Sequence, residues 1–533
     1  MMRKKIVLLH HRSRTVLITT AHSSSSCFAS LFALAHIASE SLTSARIGAD
    51  LSLFAIDASC MIASMHRNKR MEHERMSESR SHSNARDGWR WGIFTARIPF
   101  IHTRVEWPEL LQGLVVPAAT GLGLVPLLDR LFGLPFEVSI ALIFVSSFLL
   151  VIAPILFGEP FAPGWITPAL PLVLSYLLDP ESSWTGPVSR IHAMTALMLD
   201  FAVIVLALGV TGLGKNFIRW LPPALKGGIL LGASLAAFKR VFVDDASRFL
   251  NIQPVSTTLA IAACLILLFS PFIQRWKEHR AWLRLVAGLG FLPGFLLAAS
   301  VGPFVGSPPE IVFSYEPGIL IPPFGELFRR MSPFSIGWPS QEMFLAGLPL
   351  AVVGYILLFG DLVTGIEILR AAQPSRPDEP IGIDIARTHL SIALRNIAMA
   401  LTAPFFPAQG CLWTGVHAII VQRWKEGRRG MESLFGGIAS YYVFGMPVLL
   451  YLFRPALGLL RPLMGIALSL TLILTGYACA MVGMAIPRNA SERGAAVLAG
   501  AALALFPGWP GMLIGLCAAL ILAPASIVET KIE

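Results

Sequence analysis

The 533-residue sequence predicts an all-α integral membrane protein: about fourteen transmembrane segments in a seven-plus-seven inverted repeat, two of them broken half-helices. Three observations predict this. The chain is 55% hydrophobic and 14% charged, with a mean hydropathy of +0.67, too apolar to make a water-soluble surface. From Leu110 onward long apolar runs alternate with short polar loops. Two of those runs are interrupted by Pro and Gly at matching places: GEPFAPGWITPALP at 158–171 and FFPAQGCLWTG at 405–415.

Residues 1–109 read as a polar N-terminal tail. Up to Arg70 it is rich in Ser, His and Arg, and its apolar patches, such as FASLFALAHIA, are too short for about 30 Å of hydrocarbon. The composition admits a transit peptide. The plainer reading starts the chain at Met71 or Met76, so residues 1–75 are assigned no function.

Apolar spans are expected near 110–128, 136–156, 165–178, 191–212, 223–238, 254–273 and 285–305, which form the first repeat (110–305). An extracytoplasmic connection at 306–342 follows. Spans near 343–369, 390–404, 411–422, 434–453, 462–483, 494–507 and 510–525 form the second repeat (343–525), leaving a short tail at 526–533. Seven crossings separate the halves, so the second is inverted relative to the first. With the N-terminal tail inside, the inside loops hold fifteen Lys and Arg against nine outside. This bias puts both termini in the cytoplasm, and a bacterial inner membrane is the expected location. It also accounts for the net charge of +10 without a nucleic-acid partner.

Paired Gly/Pro breaks at corresponding positions of an inverted repeat point to the central site of a transporter. Backbone groups freed at membrane depth need protein or a water-filled cavity around them, and half-helix starts offer N–H groups and partial positive charge to a polar ligand. Either break alone would be an ordinary packing kink. The pairing favours a site, and Gly164 and Gly410 are expected to approach each other there.

The stretch LVVPAATGLGLVPLLDRLFGLPFEVSIALIFVSSFLLVIAPILFGEPFAPGW resembles the first three helices of the nucleobase-ascorbate permeases and of their relatives the sulfate permeases. LPPALKGGILLG (221–232) resembles the family's fifth helix, and RPLMGIALSL (461–470) the equivalent place in the second repeat. The likeness covers roughly residues 105–525 and implies a core domain that holds substrate and a gate domain it moves against. It also implies that Asp361, in LLFGDLVTGIEIL, is the substrate-facing, ion-coupling acid. A carboxylate at mid-span normally faces a cavity or a partner, and an ion pair inside the bundle is the structural alternative. Glu367, with Arg370 three residues on, reads as a surface ion pair.

The family's tenth-helix motif is only partly kept. Its acid is absent, which argues against a nucleobase, and Gln409, Thr414 and His417 are the nearest polar candidates. A lone His in an apolar run is at least as often a hydrogen-bonded packing residue as a titrating one. The substrate-facing set is therefore Gly164, Trp165, Thr167, Asp361, Gln409, Gly410, Thr414 and His417.

The expected function is secondary active transport of a small polar or anionic solute, coupled to H+ or Na+. The alternative is a sulfate-permease-like anion transporter or exchanger that binds through helix dipoles without an essential acid. A membrane enzyme ranks last, because HExxH, GxSxG and clustered acid motifs are absent from the sequence. No cofactor is expected. The six cysteines have neither CxxC nor metal-ligand spacing, so no metal is expected either. The partners expected are the solute, membrane lipid and, as an open option, a second copy of the chain.

Overall fold

The computed structural model describes residues 88–523, except 93, 180–183, 248–249, 281, 284–285, 287–291, 406, 446–448 and 507, and also describes residues 6–11 and 14–19. The early stretch forms one antiparallel hairpin, β1 (Ile6–His11) with β2 (Arg14–Thr19), in a unit separate from the helical body. The rest of the N-terminal tail before residue 88 and the C-terminal tail at 526–533 lie outside the described residues.

In the body, a second hairpin, β3 (Trp89–Trp91) and β4 (Phe94–Ala96), leads into α1 (Trp107–Leu122), α2 (Val125–Phe132) and α3 (Phe136–Leu156). The chain continues through α4 (Leu170–Leu177), α5 (Pro187–Thr211), α6 (Gly214–Trp220), α7 (Pro223–Lys239), α8 (Pro254–Phe269), α9 (Pro271–His279) and α10 (Leu292–Val301). Two short helices, α11 (Phe324–Met331) and α12 (Pro333–Ile336), occupy the connection between the repeats. The second half is α13 (Gln341–Ala372), α14 (Ile385–Thr402), α15 (Thr414–Lys425), α16 (Leu434–Gly445), α17 (Arg454–Leu460), α18 (Met464–Ala485), α19 (Ala490–Leu505) and α20 (Trp509–Leu522).

Each of the fourteen expected spans contains a helix among the described residues, although 285, 287–291, 446–448, 507 and 524–525 fall outside them. Prolines set many of the starts, as at Pro187, Pro223 and Pro254, where a fixed φ and a missing N–H suit the first turn. Among the described residues, five stretches of helix are long and apolar enough to cross a membrane: 107–132, 136–156, 187–211, 341–375 and 454–485. Pro117, Pro154 and Pro349 sit inside three of these helices.

The packing carries the internal repeat. Advancing seven spans turns α1 into α13, α5 into α16 and α7 into α18. The helix α1 packs on α16 as α13 packs on α5, and α8 packs on α10 as α19 packs on α20. The two related helices α7 and α18 pack on each other. Small residues permit the closest approaches: a Cβ on Gly500 of α19 would lie 2.9 Å from the Gly232 nitrogen of α7.

At the two broken segments the helix starts differ from expectation. The third span was expected from 165, but residues up to 166 are not helical and the α-helix begins at Leu170 after a 3-10 turn at Thr167–Ala169. The tenth span was expected from 411 and begins at Thr414. In both, the residues just before the helix are used in pairing the two segments. Residues 94–109 are also more than a tail: Arg97 donates to the Gly158 carbonyl at 2.9 Å, and α1 starts at Trp107.

A crossing of two broken segments

The stretch before α4 and the stretch before α15 run antiparallel and share backbone hydrogen bonds. Gly410 N donates to Gly164 O at 2.7 Å, Ile166 N to Ala408 O at 3.0 Å and Trp413 N to Ala162 O at 2.7 Å. A bridge thus forms at Trp165 and Gln409, and the freed backbone groups of each break are satisfied by the other. The two glycines have a steric reason to be there. A Cβ on Gly410 would lie 2.8 Å from Gly164 O, and one on Gly164 would lie 2.8 Å from the Trp413 Cβ.

Beyond the crossing, α4 and α15 both begin without a side-chain cap. Thr414 and Gly415, at the start of α15, are exposed, and Thr167 is half-buried at the other start. At α4 the 3-10 turn uses the N–H groups of Thr167, Ala169 and Leu170, and Pro168 and Pro171 have none, so the open N–H donors and dipole end lie at the start of α15.

Asp361 lies beside this crossing. Leu358, Asp361 and Gly365 fall on one face of α13 by their i, i+3, i+7 spacing. The carbonyl of Leu358 accepts from Cys411 Sγ at 3.9 Å, and a Cβ on Gly365 would touch Leu412 at 3.1 Å and Phe161 at 3.0 Å. Asp361 is half-buried, has no hydrogen bond or ion pair among the described residues, and is in electrostatic reach of Cys411 and Cys479. Glu367, by contrast, is an exposed ion pair with Arg370 at 2.9 Å.

The remaining expected residues brace the crossing. Gln409 is fully buried, and its Nε2 donates to Ser146 O at 3.1 Å and Ser146 Oγ at 2.9 Å, while Trp165 Nε1 reaches the same Oγ at 3.0 Å. His417 accepts from Ala162 N at its Nδ1 and leaves a buried Nε2 without a partner. Gly164, Trp165, Gln409, Gly410 and His417 therefore meet in one assembly, whereas Thr414 and Asp361 stand at its accessible side. Tyr442 donates to the Pro163 carbonyl and Tyr355 to His389, which makes His389 a packing residue away from the crossing.

Sequence reasoning missed four participants: Glu159, Ser146, Arg395 and Asn396. Asn396 clamps the second segment in both directions, donating to Gln409 O at 2.9 Å and accepting from Gln409 N at 2.9 Å. Arg395 donates to Gly410 O at 3.1 Å. A signal existed: Arg387, Ser391, Arg395 and Asn396 are polar residues at helical spacing within an apolar run, and Glu159 is the one acid in the first broken stretch.

No family model matches the chain, and no curated protein matches it. Solved structures with a similar shape include the transmembrane domain of a cyanobacterium bicarbonate transporter, BicA. It is 16% identical, with a TM-score of 0.42, and the match covers 78% of this chain and 99% of that one. The overall structure of SLC26A9 is 14% identical with a TM-score of 0.44, covering 78% of this chain and 65% of that one. The murine solute carrier 26 family member A9 anion transporter in its inward-facing state is 15% identical with a TM-score of 0.42, covering 79% and 69%. Likeness of this degree assigns no residue a role.

Proposed function

We propose that the chain is a secondary active transporter that carries a small polar or anionic solute past the crossing by alternating access, coupled to H+ or Na+ through Asp361. The observation that carries this reading is the crossing itself, with Gly410 N bonded to Gly164 O and the uncapped start of α15 beyond it. The unpartnered carboxylate of Asp361 on the adjoining face of α13 supports the coupling role, because its ionisation would depend on whether its surroundings are wet or closed. Gly164, Trp165, Gln409, Gly410 and His417 hold the site's shape in this reading, while Thr167 and Thr414 face the solute.

A second reading, an anion exchanger without a coupling acid, is favoured by the open start of α15 at Thr414 and Gly415. One experiment separates them. Proteoliposomes are loaded with labelled inorganic anions, carboxylates and nucleobases, with and without a pH or sodium gradient. Gradient-driven accumulation should appear for one solute class and vanish in Asp361→Asn. Accumulation that survives in that variant favours the exchanger, and no flux of any solute sinks both. The loop charge bias supports cytoplasmic termini in a bacterial inner membrane, which labelling of single cysteines from each side would check.

A further inference from the structure

A second polar cluster lies between the turn at Phe157–Pro160 and one face of α14. Arg387, Ser391 and Arg395 recur every four residues on α14, so they form a stripe about 12 Å long that descends from a half-buried end to the crossing. Glu159 faces this stripe and is 1% exposed, while Arg395 is 2% exposed and Ser391 fully buried. Arg97, at the end of β4, reaches the neighbouring Gly158 carbonyl from the outer side.

The Ser391 side chain lies beside the Glu159 carboxylate, but none of the groups in this cluster closes a well-formed hydrogen bond on another. Both carboxylate oxygens of Glu159, the Ser391 hydroxyl, Arg387 Nε, and Arg395 Nε and Nη1 are buried without a hydrogen-bond partner among the described residues. Arg387 and Arg395 are in electrostatic reach of Glu159, yet neither closes an ion pair on it. Elsewhere, Arg387 spends one nitrogen on Thr95 Oγ1 at 3.4 Å, and Arg395 spends one on Gly410 O. Buried polar atoms left open in this number mark a place where something polar binds. Two guanidinium groups face one carboxylate, so both the charge and the surplus of N–H donors on Arg387 and Arg395 call for an acceptor of negative charge.

We propose that Glu159 and the Arg387, Ser391, Arg395 face form an anion site, separate from the crossing, that takes one small monovalent anion such as chloride or formate together with one proton on Glu159. An ionised Glu159 repels the anion. A protonated Glu159 stops repelling it and adds an O–H donor, so each bound species favours the other. The charged and titratable groups around Glu159 are Arg97 from the strand end, Arg387 and Arg395 from α14, and Cys411 from the second broken segment, with Tyr442 of α16 beside Arg395. Such a site goes beyond the transporter reading, since its occupancy requires no transport.

The test is equilibrium binding of labelled chloride, with formate as competitor, to the purified full chain in detergent across a pH series. Wild-type affinity should weaken roughly tenfold per pH unit over its titrating range, as one proton per anion requires. In Glu159→Gln chloride should bind with no such slope. Arg395→Gln should weaken binding about tenfold or more. Arg387→Gln, which leaves the Gly410 bond intact, should weaken it severalfold at unchanged Tm, whereas the exposed Glu367→Gln should bind as wild type does. Absence of chloride binding at every pH, or a pH slope that persists in Glu159→Gln, overturns the proposal. If the slope disappears in Asp361→Asn and stays in Glu159→Gln, the anion sits at the crossing, and the transporter reading stands while this one falls.

Discussion

Arg376 and Arg395 are equally withdrawn from solvent, 1% and 2% exposed, and otherwise have little in common. Arg376 sits after α13 and uses every part of its guanidinium. Its nitrogens reach Asp378 at 3.0 Å, Glu379 at 3.3 Å, and the carbonyls of Trp424, Met431 and Glu432 at 2.9 to 3.0 Å. The acids are used as fully: Glu379 also accepts from Trp424 Nε1 at 2.7 Å and Ser433 Oγ at 2.6 Å. Arg395 has a single hydrogen bond, to Gly410. Burial alone therefore says little about a charge. A saturated guanidinium clamps two loops together, whereas one with open donors beside an open carboxylate is suited to a ligand.

The largest effect expected from breaking this contrast is on stability. Arg376→Leu takes the guanidinium away from two carboxylates, which keep their other partners, and strands three carbonyls; it should destabilise the solubilised protein by about 3 to 5 kcal/mol. Arg395→Leu gives up one hydrogen bond and one charge in reach of Glu159, and should cost clearly less than Arg376→Leu in thermal unfolding. Equal losses in the two variants would erase the distinction. Between these extremes lies Gln409→Ala, which removes the tie to Ser146 and should cost about 1 to 3 kcal/mol while loosening the crossing.

Acid offers a gentler probe of the clamp. Hydrogen bonds from Arg376 and Arg428 pull the Asp378 carboxyl down from 3.8 to about 2. Because the folded value is the lower one, the contribution of Asp378 is complete above pH 3.8 and is lost as the pH falls towards 2. A fluorescence unfolding series should show this loss in that window, and Asp378→Asn should lack that part of it. The smallest effect should come from Glu367→Gln. Its exposed pair with Arg370 is worth well under 1 kcal/mol, so thermal stability should move by no more than about 0.5 kcal/mol.

The positions of the spans were readable because hydrocarbon imposes a length and a composition on each of them. The breaks were readable because Pro and Gly interrupt such a run visibly, and Gly164 and Gly410 do meet. The roles of individual polar residues were harder to read. Gln409 and His417 look alike in sequence as candidates to touch a solute, but their hydrogen bonds go to Ser146 and Ala162, residues more than 250 positions away. Glu159 drew no attention because an acid next to a proline reads as loop chemistry until a helix from the other repeat is packed against it.

The sequence by itself determined the solvent this protein folds in, where its apolar spans lie and the places where two of them are broken, since each follows from local composition and from which backbone groups can be satisfied within a segment. Tertiary structure decided everything that depends on pairing across the repeats. It satisfied each broken segment with the other, set Asp361 beside the crossing, saturated Arg376 and left Glu159 facing two arginines it does not bond. These outcomes turn on distances of a few ångströms between residues hundreds of positions apart, and no local pattern encodes such a distance.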